Sequence, residues 1–77
     1  MKITMKQHNI GDVINVSNEY GITSIKIDEI VELTDKVTLL RGHAPLNEKE
    51  KISVRYIHNE EAEAYFYANL QNYEYAE

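Results

Sequence analysis

The stretch from Ile22 to Arg41, ITSIKIDEIVELTDKVTLLR, constrains this chain more than any other. It is dense in β-branched residues, which pack well on a pleated surface and lose rotamer freedom in a helix. Thr34-Asp35-Lys36 interrupts it with turn chemistry, so the segment predicts two long strands of one antiparallel hairpin. Ile25, Ile27, Val31 and Leu33 fall on one side of an extended chain, while Lys26, Asp28, Ile30 and Glu32 fall on the other. Glu29 breaks the apolar row, which predicts a bulge, a bend or an edge position at Asp28-Glu29. A strand bent there suits a small closed barrel. The competing reading is a helix capped by Ser24, with Ile27, Ile30 and Val31 on one side, but isoleucine and valine are mediocre helix formers.

On the N-terminal side, Ile3 and Met5 alternate with polar neighbours and suggest a short first strand or a pairing arm. His8-Asn9-Ile10-Gly11 reads as a turn, Asp12 to Val16 as a strand, and Ser17 to Gly21 as a loop in which Gly21 supplies a positive φ. After the turn, Val37 to Arg41 is the return strand, with Val37 and Leu39 on one face and Thr38 and Leu40 on the other. Gly42 to Leu46 ends it, because Pro45 has no amide proton for a ladder. Asn47 to Lys51 reads as a charged, solvated loop. Ile52, Val54 and Tyr56 then alternate with Ser53, Arg55 and Ile57 in a further strand, closed by His58-Asn59-Glu60-Glu61.

The segment from Ala62 to Tyr73 matches two templates. As a helix it has Asn59 for an N-cap, Glu60 and Glu61 in the first turn, and a stripe of Ala62, Phe66, Leu70 and Tyr73. As a strand it points Ala62, Ala64, Phe66, Ala68 and Leu70 inward and Glu63, Tyr65, Tyr67 and Asn69 outward. Ala and Glu favour the helix. The fold expected is therefore mainly β (α+β): a small bent antiparallel sheet, or an SH3-like or OB-like barrel of four to five strands, with a C-terminal helix over residues 60–73. The alternative is an all-β chain with that segment as a further strand.

At 77 residues the chain reads as a single small domain, of a size that buries about 60% of the surface its unfolded form exposes. It has no cysteine, hence no disulfide or thiolate metal site. No apolar run approaches the ~20 residues that cross a bilayer, and MKITMKQHNIGD lacks a signal-peptide core, so a soluble, cytoplasmic protein without a membrane partner is expected. The net charge of −5 is unevenly placed: residues 1–55 are balanced, and residues 56–77 carry Glu60, Glu61, Glu63, Glu74 and Glu77 with no Lys or Arg. Five tyrosines, Tyr56, Tyr65, Tyr67, Tyr73 and Tyr75, share that region. Such a balance argues against direct nucleic-acid binding, which needs cations to displace counterions, and in favour of a protein partner with a basic surface.

Motifs for chemistry are lacking. His8, His43 and His58 lie in expected turns without the spacing that pairs imidazoles on one face, so no metal or cofactor is expected. Asp28, Glu29, Glu32 and Asp35 are interleaved with lysine like a solvated sheet face, not like a buried acid/base pair. Gly11, Gly21 and Gly42 are isolated and form no phosphate loop, and Ser17, Ser24 and Ser53 have no nucleophile-elbow context. The expectation is a non-enzymatic protein-binding module, of the size of small regulators and inhibitors encoded by phages and other mobile elements. It would occlude a basic, nucleic-acid-binding cleft by imitating phosphate charge, with Glu60, Glu61, Glu63, Tyr65, Tyr67 and Tyr73 as the contact residues. Two alternatives are a structural, self-associating subunit and a nucleic-acid-binding small barrel using Lys2, Lys6, Lys26, Lys36 and Arg41.

Overall fold

The computed structural model describes residues 7–18 and 21–72. Five strands follow one another: β1 Val13–Asn18, β2 Gly21–Glu32, β3 Val37–Ala44, β4 Asn47–Asn59 and β5 Ala64–Asn72. Each pairs antiparallel with its neighbour in sequence, so the sheet is a meander. It curls until β1 approaches β5, giving a nearly closed barrel. The expectation of a bent, mainly β sheet holds, in its all-β form. The expected strand at Ile3 and Met5, together with Tyr73 and Tyr75, lies outside the described residues.

Curvature originates where the sequence places a charge in an apolar row. Ile27 pairs with Gly42 and Glu29 pairs with Arg41, which leaves Asp28 as an extra residue in β2. This bulge reverses the alternation beyond it. Ile25 and Ile27 are fully buried, and Ile30 is the next residue packed on the core. Val31 and Leu33, expected to continue the inward row, instead come to the outer side, and Leu33 is 49% exposed. Glu29 is thereby spared burial and faces Arg41.

Ile14, Val16, Ile25, Ile27, Leu40, Ile52, Val54 and Tyr56 form the interior, with Thr38 buried beside them. The face choice in β3 follows: Thr38 and Leu40 go in, Val37 and Leu39 stay half-buried outside. Two boundaries differ from expectation. β3 continues through Gly42 to Ala44, and β4 begins at Asn47, so the Asn47–Lys51 run is strand and not loop. Its side chains are solvated at Asn47 to Glu50, and between the pairs His43–Lys51 and Ala44–Asn47 the register shifts by three residues on the β4 side. Strand pairing of the backbone is compatible with charged side chains at an exposed hairpin end. His43 and His58, placed in turns by composition, sit in β3 and β4.

The expected helix over 60–73 is absent. Its capping signal is nevertheless real: Asn59 Oδ1 accepts the Glu61 and Ala62 amides at 2.9 and 3.1 Å. Capping starts one turn, Glu60–Glu63, which stops because Glu63 adopts φ 48° and sends the chain back along β4. Without β5 the long β4 would leave a row of backbone donors and acceptors unpaired, and Tyr56 uncovered. Those non-local gains outweigh the helical preference of Ala and Glu. The faces of β5 are also opposite to the strand reading. Tyr65 and Tyr67 pack against the core, whereas Phe66 is 42% exposed and Ala64 is exposed. Leu70 nevertheless joins the tyrosines on the inside. Ser53 pairs with Gln71 and Arg55 with Ala68, so two β5 residues oppose Val54 and this second bulge changes the alternation.

Candidate interaction surface

One end of the barrel is built by the β2–β3 and β4–β5 turns. In the first, Val37 O accepts the Leu33 and Thr34 amides at 3.0 and 3.1 Å, and Thr34 Oγ1 accepts the Lys36 amide at 3.1 Å. A small hydroxyl residue followed by Asp and Lys suits such a local hydrogen-bonded loop. In the second, Asn59 organises Glu60–Glu63 as described. The two turns are tied together: the His58 amide donates to Lys36 O at 2.8 Å, and Lys36 Nζ pairs with Glu60 Oε1.

This docking gathers carboxylates that are far apart in sequence. Glu32, Asp35, Glu60, Glu61 and Glu63 are all exposed at this end, with Lys36 as the cation among them. The group Asp28, Glu29, Glu32 and Asp35 does not act as a unit. Asp28 sits in the bulge with its Oδ2 2.7 Å from His43 Nδ1, and Glu29 faces Arg41 at 3.7 Å. Only Glu32 and Asp35 reach the end formed by the Glu60–Glu63 turn.

Beneath the acidic end lies a cluster of rings on the inner face. Tyr56 and Tyr65 stack with centroids 5.0 Å apart and planes at 16°, and His58 stacks on Tyr65 at 4.7 Å. Tyr67, the direct cross-strand partner of Tyr56, lies 5.1 Å from it. His8 meets Tyr56 edge-on at 4.6 Å and brings its Nε2 to 2.9 Å from the Tyr67 hydroxyl. It is delivered there by a turn at Asn9–Asp12, in which the Asp12 amide donates to Asn9 O at 3.1 Å and Gly11 takes φ 93°. Gly11 then donates to Ile27 O at 2.8 Å, which anchors the turn on β2. Burial raises the Tyr67 phenol above its ordinary value of 10.0. The arrangement is a packed aromatic layer that stiffens the turn-bearing end.

Of the six contact residues anticipated from sequence, Glu60, Glu61 and Glu63 are exposed on one turn. Tyr65 and Tyr67 support that turn from within, being half-buried and packed on the core. Tyr73 lies outside the described residues. Comparison with protein-family models, with curated proteins and with solved structures finds no match.

The histidines converge partly, since His8 and His58 join one ring layer through Tyr56 and Tyr65. Among the described residues no group of three or more His, Cys, Asp or Glu could hold a metal ion. Among them, too, no helix is long and apolar enough to cross a membrane. Of the cation face drawn from sequence, Lys36 stands at the acidic end with Glu60, Lys26 and Arg41 lie on the outer face of the sheet, and Lys2 and Lys6 lie outside the described residues. Sequence reasoning missed the apolar residues of that outer face, Val31, Leu33, Val37, Leu39, Ile57 and Phe66. Their signal is visible only once both bulges have assigned the faces.

Proposed function

We propose that the protein is a non-enzymatic binding module whose acidic end engages a basic surface on a partner protein. The observation that supports this most is the hydrogen bond from His58 to Lys36, because it fastens two acidic turns side by side. Fixed carboxylates on a rigid end concentrate negative potential, which raises the encounter rate with a cationic cleft. The ring layer below contributes stiffness, so little ordering entropy is lost on contact. Occlusion of a nucleic-acid-binding cleft, in the manner of a small phage-type regulator or inhibitor, is the form of action that this charge distribution suits.

The test combines salt and charge neutralisation. Binding partners are captured from lysate by the wild-type chain and identified, and the purified partner is then titrated with wild type and with the Glu60→Gln/Glu61→Gln/Glu63→Gln variant. The expected result is an association rate that falls as ionic strength rises and an affinity severely reduced in the variant. An affinity indifferent to both changes would rule the reading out.

A further inference from the structure

The outer face of β2–β5 is banded by charge. Farthest from the acidic end lie Lys26, Arg41 and Lys51, with Asp28 held by His43 and Glu29 facing Arg41 in the same band, and Arg55 follows one row nearer, beside Leu39. Next comes the apolar band of Val31, Leu33, Val37, Leu39, Ile57 and Phe66. Register joins them: Val31 opposes Leu39, and Val37 opposes Ile57, which opposes Phe66. Leu33 is attached to the same row by its hydrogen bond to Val37 O. Beyond it stand Asp35, Glu60, Glu61 and Glu63. Single exposed apolar side chains are ordinary on a protein surface, but a contiguous row across four strands marks a contact site.

We propose that this face docks a second copy of the same chain, related by a two-fold axis through the apolar band. In such an arrangement residue i of one copy meets residue j of the other, and the reverse contact follows by symmetry. The acidic turn of each copy then lies over the other's Arg55 and its basic neighbours, twice in one interface. A uniformly basic partner would match the acidic turns and meet repulsion from Lys26 and Arg55, and a uniformly acidic one would fail at the opposite end. Only a partner with the same bands in reverse order satisfies both, and a second copy has them. Arg55 lies between Leu39 and Ala68 in the register, where an arginine can add packing as well as charge to the contact. This inference does not rest on the partner reading above, although both contacts use Glu60 and Glu61, so the two would compete.

Sedimentation velocity of the full chain over a wide concentration range, at low and high salt, is the test. A monomer–dimer equilibrium that weakens with salt is expected. Phe66→Ser and Arg55→Glu should each raise the dimer dissociation constant about tenfold or more. Thermal unfolding followed by circular dichroism should show that both variants remain folded, since Phe66 and Arg55 are exposed. The double variant Arg55→Glu/Glu61→Lys should regain association, because the exchanged charges face each other again. A chain that stays monomeric at the highest attainable concentration, a dimer indifferent to either single substitution, or a double variant that fails to regain association would overturn the proposal.

Discussion

Gly42 in β3 lies against Lys26 in β2 so closely that a Cβ on the glycine would fall on the lysine carbonyl oxygen and stand 2.7 Å from Ile25 Cγ2. The bulge at Asp28, two residues after Lys26, is what brings the β2 backbone into this position. Backbone and a fully buried side chain fill the space, so neither can give way cheaply. Glycine at this corner therefore permits the curl of the sheet.

Gly42→Ala is expected to destabilise the protein by about 3 kcal/mol, the upper range for overpacking a well-filled interior. A urea unfolding midpoint well below that of wild type checks it. An unchanged midpoint would mean that the sheet corner is looser than this geometry requires.

Glu63 is a non-glycine residue in the left-handed region, at φ 48°. That conformation costs a side-chain-bearing residue about 1–2 kcal/mol, part of which glycine returns through its freer unfolded state. Glu63→Gly should raise stability by roughly 0.5–1 kcal/mol, and Glu63→Val should lower it, because β-branched residues resist positive φ. Thermal melts of the two variants, moving in opposite directions from wild type, are the measurement.

The buried Tyr67 phenol makes stability fall in alkali. Its folded value lies above the ordinary 10.0, so the unfolded chain releases this proton first. Stability from this group is thus fully present below about pH 10 and is lost as pH rises through the folded value. Tyr67→Phe should flatten the decline in unfolding midpoint above about pH 10, and an equally steep decline in the variant would show that other groups dominate.

Leu40 is fully buried, whereas Leu46 at the tip of the β3–β4 hairpin is 102% exposed. Leu40→Ala should cost about 2–5 kcal/mol, enough to unfold much of a domain this small. Leu46→Ala should change stability by no more than about 0.5 kcal/mol. Paired denaturation curves test whether the interior is placed correctly.

Local chemistry in the sequence was sufficient for the hairpin of β2 and β3, the irregularity at Asp28-Glu29, the positive φ at Gly21 and the acidity of the Glu60–Glu63 turn. Each depends on residues near one another in the chain: β-branched density, a charge in an apolar row, a glycine, a cluster of glutamates. Tertiary structure decided what becomes of residues 64–72, because their alternation fits helix and strand equally and the unpaired edge of β4 is remote in sequence. It also decided which faces are inside. One extra residue at Asp28 inverts the side chains that follow it in β2 and leaves Val31 and Leu33 on the outside. Another, opposite Val54, brings Leu70 to the inner side that Tyr65 and Tyr67 occupy through their pairing with His58 and Tyr56. Periodicity alone carries no information about a bulge that only the neighbouring strand can reveal.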